Sequence, residues 1–487
     1  MNETSNPNVG LHSVTGRFFR WLFRRQTQRR ALIGLAVLAT LVAIFYLEED
    51  WRGKRAWENC KRELEARGAV LDWEKYIPPP VPDDQNFFKA PKMTEWFVGR
   101  NSTNDLYLNL NNKKFVELTR SVGSTNLITS TELAKEYLAW SDTFQPDFDL
   151  IDEALKRPFA RIDTDYSKPF QILIPNFLST RSLVQVLAQR ARCHWMLGSP
   201  EKALNDLTLL NHSRHFLEGA PTGKPMTLVA AMINVAVTGV YVNTIADGLQ
   251  RQAWQEPQLT ALQEQLAQIN LAPFLVQALE SEPAALCHTM EIADVKKFMS
   301  LLPESGSRRS NWQKFKDLKL HVYDLVPRGW IYQNMTLTAR LEEPRGEGFD
   351  LTNDLILPEK FKDLTRKLDA AFSGNARPYS FMAAMGIPNI TKATQTLAHN
   401  QTLVNEGRIA CALERYRLAR GEYPETLDTL VPQFIEKLPH DLIGGQPLHY
   451  RRTDNGKFLL YSVGWNETDD GGTASDKMDQ GDWVWKN

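Results

Sequence analysis

The densest run of side chains with chemistry in them is an acidic, glycine-rich tail. From Gly464 to Asp482 it holds six carboxylates and one lysine, Lys477. Oxygen-rich loops with glycine turns suit Ca²⁺, which takes six to eight oxygen ligands. The spacing is not that of an EF-hand loop, and a solvated acidic turn accounts for the same residues. Elsewhere the pairs are sparse. His212 and His215 stand three apart on a predicted helix and would share a face, yet a metal site needs a third ligand and none is near in sequence. Cys287 and His288 are adjacent, so on a helix they point about 100° apart, which disfavours a nucleophile–base dyad. Ser199 to Lys202 fits the S-x-x-K acylase pattern, although a capped helix start explains it better. Glu291 and Asp294 are three apart and could work as paired carboxylates, whereas Glu280 and Glu282, two apart, diverge. There is no H-E-x-x-H, G-x-S-x-G, Walker loop or dinucleotide glycine pattern.

These residues hang on a chain organised by Ala31 to Leu47, ALIGLAVLATLVAIFYL, which carries no charge. As a helix its seventeen residues reach about 26 Å, the short end of what crosses a bilayer's hydrocarbon core. Before it lie six arginines and Glu3, interleaved with Phe18, Phe19, Trp21, Leu22 and Phe23. That bias puts the N-terminus in the cytoplasm and the rest of the chain outside. Glu48-Glu49-Asp50-Trp51-Arg52 follows, with no small-residue cleavage site, so an uncleaved signal anchor is expected. The first thirty residues carry +5 of a net −1, leaving −6 on the remainder. An acidic body argues against nucleic-acid binding. Cys60, Cys193, Cys287 and Cys411 are scattered and read as single buried thiols.

The expected order is a basic head (1–30), a transmembrane helix (31–47), a juxtamembrane helix with a proline-rich spacer (48–85), a helical body (86–390) and an α+β module (391–487). Trp51 to Gly68 continues the anchor helix, and Pro78-Pro79-Pro80-Val81-Pro82 would lift the body off the membrane as extended polyproline II. Within the body, residues 131–140 and 149–156 read as helix and 170–174 as an extended piece. Leu178 to Leu271 reads as helical; Arg181 to Leu217 holds two runs joined at Gly198-Ser199-Pro200, with Ala191, Gly198, Ala203 and Leu207 placed as in a tetratricopeptide hairpin. Met226 to Leu249 is apolar almost all round, either a central buried helix or a second span. Pro283 should break or kink the helix that contains it. Leu318 to Arg340 adds helix interrupted near Pro327, and residues 341–354 read as a loop. Thr391 to Arg420 is a long helix stopped by Gly421. A hairpin around Asp454-Asn455-Gly456 follows, with Trp483-Val484-Trp485 as a third strand.

The last 85 or so residues run from Tyr416 through Gly421 to Tyr423-Pro424. They continue with Leu438-Pro439-His440-Asp441, Gly445 to Tyr450, Tyr461-Ser462-Val463-Gly464 and the acidic tail. This order resembles the C-terminal half of the major pseudopilin of type II secretion. The resemblance implies a calcium loop with Asn466 and Asp482 as ligands and Asp469, Asp470 and Asp479 as neighbours. In pseudopilins the long helix begins the chain and is itself the membrane segment; here it starts some 350 residues later. Pro78 to Phe88, together with the tail, is similar to a group of large membrane-anchored bacterial proteins, which implies no activity.

The fold expected is mainly α with a small C-terminal antiparallel sheet. The function expected is that of a scaffold or binding protein of the bacterial envelope, single-pass in the inner membrane, with envelope or secretion-type partners. The alternatives are an envelope hydrolase using Glu291 and Asp294, and a component of a secretion or pilus-type assembly.

Overall fold

The computed structural model describes residues 21, 25–99, 103–111, 131–218, 227–293, 295–301, 326–373, 377–454 and 456–486. The longer helices are α1 (Arg25–Ala66), α2 (Thr131–Ser141), α3 (Gln145–Leu155), α4 (Phe177–Met196), α5 (Pro200–His212), α6 (Leu228–Gln250), α7 (Glu256–Ala267), α8 (Ala272–Ile292), α9 (Arg328–Glu342), α10 (Pro358–Phe372) and α11 (Ile390–Arg420). The chain is mainly helical, with a three-stranded antiparallel sheet near its C-terminus, as its patterning implies.

The apolar run and the juxtamembrane stretch form one continuous 42-residue helix. The most apolar stretch of α1 is 0% buried, and near its end Phe45 meets the Trp330 ring of the body. The helix is long and apolar enough to cross a membrane. The second half buries Gly53, Trp57, Cys60 and Leu64. The helix stops where Gly68 takes φ +96° and Ala69 N–H reaches back to the Leu64 carbonyl, because glycine adopts that left-handed backbone without a Cβ clash.

α9 lies alongside this second half and runs in the same direction. Its start is pinned by Gly329 N–H donating to Asp50 Oδ1 at 2.7 Å and Trp330 Nε1–H to Glu49 Oε2 at 2.9 Å. Further along, Arg340 pairs with Glu63 at 3.3 Å. The body therefore grips α1 before the proline run is reached. Pro78 is buried against the body, with Arg161 Nε–H donating to its carbonyl, while Pro79, Pro80 and Pro82 are exposed.

Two cores result. Trp57, Leu64, Met290, Met335, Leu364 and Met382 form the one under α1 and α9. The larger core joins α4, α5, α6, α7 and α11. α6 passes the same length and apolarity test as α1, but 67% of its window is buried, which makes it the core helix. α8 runs unbroken through Pro283. Pro283 removes one backbone donor, and the burial of Leu279, Ala284, Leu286 and Cys287 on either side keeps the helix going.

Residues 341–354 are not simply a loop: the 3₁₀ turn Glu343–Gly348 leads into β1 (Phe349–Asp350), which pairs antiparallel with β2 (Leu355–Ile356). α11 ends at Gly421, φ +88°, as its sequence implies. β3 (His449–Arg452), β4 (Phe458–Ser462) and β5 (Trp483–Val484) form the sheet in that order, with His449 opposite Tyr461 and Ser462 opposite Trp483. Phe458, Leu460, Trp483 and Trp485 join the same core as α6 and α11.

Candidate functional site

Local sequence builds two walls of a cleft. The 3₁₀ turn Asp142–Phe144 runs directly into α3. Steps of three and four along it place Asp142, Gln145, Asp149 and Asp152 on one face, and all four line the cleft. The other wall is the α4–α5 pair. Asn176 caps α4 by accepting from Leu178 and Ser179 N–H. Gly198, φ +72°, turns the chain, and Pro200 begins α5. Ser199 occupies the cap position without a side-chain hydrogen bond. Arg190 and His194 lie four apart on α4, as do Lys202 and Asp206 on α5, and all four face the same space of about 440 Å³.

Arg190 is the hub. Its guanidinium donates to Asp206 Oδ1 at 3.1 Å, Ser141 Oγ at 2.9 Å and Asp142 Oδ1 at 2.7 Å, and it lies over the Phe148 ring. The second oxygen of Asp206 is different. Oδ2 is buried, makes no hydrogen bond among the described residues, and stands 3.5 Å from His194 Nε2.

Burial pushes the Asp206 carboxyl up to about 6, and the Arg190 charge offsets only part of that rise. Burial also lowers the His194 imidazole to about 4, with the Arg190 and Lys202 charges adding to the effect. Near neutrality the imidazole is therefore uncharged and the contact is not an ion pair. The arrangement offers a buried oxygen that accepts from a cation or exchanges a proton near pH 6, facing a row of carboxylates.

The sequence candidates fare differently. His212 is exposed and no third ligand joins it and His215 among the described residues. Cys287 is buried with its thiol toward the Met335 carbonyl, while His288 Nε2 meets the Ser167 carbonyl, so the two diverge. Lys202 lies in the cleft, but Ser199 does not line it. Glu291 is exposed and Asp294 lies outside the described residues. Glu280, also exposed, has its carboxyl raised by desolvation. All four cysteines are free and buried.

In the tail, Asp482 is buried and accepts from Asp470 and Gly472 N–H at 3.2 and 2.6 Å. Asp469 accepts from Gly471 N–H and Tyr461 O–H, which hold it below the usual carboxylate range. Asn466 donates to Asp470, and Asp479 is exposed. The loop is thus held by its own hydrogen bonds. Among the described residues no three His, Cys, Asp or Glu side chains gather as a metal site.

Compared with protein families, curated proteins and solved structures, the chain matches none. Of the cleft residues, the sequence points to Lys202 alone, through the S-x-x-K pattern. Only the helical spacing of Asp142, Asp149 and Asp152 hints at the others, and an acidic stripe alone reads as a solvated face.

Proposed function

We propose that this protein is a membrane-anchored envelope scaffold that binds a partner through the cleft, taking up an amine or guanidinium group. The observation that carries this reading is the unbonded Asp206 Oδ2 on the floor of a cleft whose one wall bears Asp142, Asp149 and Asp152. Asp206 Oδ1 has Arg190 as its donor, but a buried second oxygen without one is costly, and an incoming cation supplies the missing hydrogen bond. The partner, on this reading, is a protein that presents a basic segment outside the membrane. The test is calorimetric titration of the detergent-solubilised full chain with a lysine–glycine peptide and with its glutamate counterpart. The basic peptide should bind, more weakly as salt rises. Asp206→Asn should cost at least about tenfold in affinity, or about 1.4 kcal/mol. Equal binding of both peptides, or none, removes the proposal.

A second reading is a hydrolase, favoured by one observation: a carboxyl that titrates near pH 6 beside a neutral imidazole has the makings of a general acid–base pair. It transfers the carboxylate role from Glu291 and Asp294 to Asp206 and His194. Turnover of peptide or cell-wall substrates, lost in Asp206→Asn, would establish it. The pseudopilin-like module supports a third reading, a secretion-type assembly, which predicts co-purification with filament subunits.

A further inference from the structure

We infer that the end of the body around the start of α9 is a seat for phosphate-bearing lipid headgroups, so that the body rests on the bilayer surface. This builds on the membrane-anchor reading of α1.

The argument is one of height along a single helix. α1 is continuous from Arg25 to Ala66, so each residue past Leu47 climbs about 1.5 Å from the end of the apolar run. A headgroup layer is about 5–7 Å thick on each side of the hydrocarbon core. The Trp330 ring meets the Phe45 ring edge-on at 6.4 Å, and Phe45 lies within the apolar run itself. The indole N–H of Trp330 bonds Glu49, two residues past that run. Tyr379 stands 5.9 Å from the Trp330 ring and accepts from Arg52 at 3.2 Å. Trp330 and Tyr379 therefore come from the body yet sit level with the first turn beyond the hydrocarbon, the depth at which amphipathic aromatic rings are favoured.

Charge provides an independent argument. At this end Arg52, Arg55, Arg328 and Arg377 are exposed. Of the nearby acids, Glu49 is buried, accepts from Trp330 and is ion-paired with Arg52 at 2.5 Å, and Asp50 caps Gly329, which leaves Arg55, Arg328 and Arg377 as the remaining exposed arginines. Glu48 alone is an exposed acid on this turn. On a chain whose residues after position 30 sum to −6, these exposed arginines stand at the level where phosphate-bearing headgroups would lie. Arg55 stacks over exposed Trp51 and Arg52 over Tyr379, at 5.3 and 5.8 Å, which holds guanidinium groups beside interfacial rings.

The test is a depth measurement on the full chain in nanodiscs of phosphatidylcholine, with and without phosphatidylglycerol. Spin labels are placed singly at Leu38→Cys and Arg377→Cys; the four native cysteines are buried and should not label. Collision rates with oxygen and with a nickel chelate then give the depth of each label. The expected result is Leu38→Cys in hydrocarbon and Arg377→Cys in the headgroup layer, with nickel access several-fold below free solution. Adding Arg52→Glu and Arg55→Glu should raise that access, most strongly in the anionic discs. A label at 377 in open water while that at 38 is in hydrocarbon overturns the seat and leaves the anchor standing. A label at 38 in water overturns both.

Discussion

The backbones of Gly53 and Gly329 touch. A Cβ added to Gly53 would collide with the carbonyl and Cα of Gly329, and one added to Gly329 would collide with the Glu49 carbonyl. No side chain fits between α1 and α9 at this crossing. Two positions 276 residues apart are thus tied by the absence of side-chain volume.

Gly329→Ala or Gly53→Ala should therefore push α1 off the body. The obstacle is backbone, which cannot swing aside, so the cost should be at least the roughly 1–3 kcal/mol of ordinary overpacking. A fall in melting temperature in detergent, with faster proteolysis after Ala66, would show it. An unchanged melt would mean the two helices are not packed this closely.

Arg190 is a buried charge held by Asp206, Ser141 and Asp142. Arg190→Met leaves Asp206 buried without its counter-charge and should destabilise by about 3–5 kcal/mol. Arg190→Met with Asp206→Leu should recover much of that loss, because two desolvated charges disappear together. Denaturant titrations of both variants measure the difference.

The pH dependence of stability has two opposed parts in this cleft. Asp206 is raised to about 6, so between about pH 4 and 6 the folded chain holds a proton that the unfolded chain has released. Its contribution falls as pH rises, by up to about 3 kcal/mol. His194 is lowered to about 4, so below about pH 6.5 the unfolded chain takes a proton that the folded chain refuses. Its contribution rises with pH over the same window, and the two largely cancel. Relative to the parent, Asp206→Asn should gain stability on going from pH 4 to 6.5, and His194→Gln should lose it. Glu406, fully buried in α11 and raised well above the ordinary value, contributes the same falling trend to every variant and drops out of the comparison. Unfolding free energies at several pH values decide the matter; two slopes of the same sign would refute the assignment.

If the tail takes calcium, a hundredfold excess over Kd adds about 2.7 kcal/mol of stability. Chelation should then lower the melting temperature, and Asp482→Asn should abolish the shift. A melt indifferent to calcium and chelator removes the calcium loop that the pseudopilin resemblance implies.

For topology, a reporter fused after Asn487 should be active only outside the cytoplasm. A cytosolic reporter would reverse the orientation drawn from the six N-terminal arginines.

What could be read from sequence was what local forces decide. An uncharged run makes one long helix at Ala31–Leu47, Gly198 and Gly421 stop helices because only φ above zero fits there, and the residues around Asp454 and Gly456 turn β3 into β4. These effects act within a turn or two of chain. The proline run shows the limit of such effects: its residues specify an extended backbone but not that Pro78 meets Arg161.

Tertiary structure alone decided the rest. It buried α6, so that a helix apolar enough for a membrane became the core. It carried α8 through Pro283 and set Gly329 against Gly53. It also made the cleft, by bringing α3 to α4 and α5 and burying Asp206 and His194 together. Helical spacing puts a carboxylate on a face, but what that face meets, and how far water is excluded from it, depends on segments distant in sequence. Burial sets both the cost of the charge and its pKa, so the chemistry of this site came into being only when the helices packed.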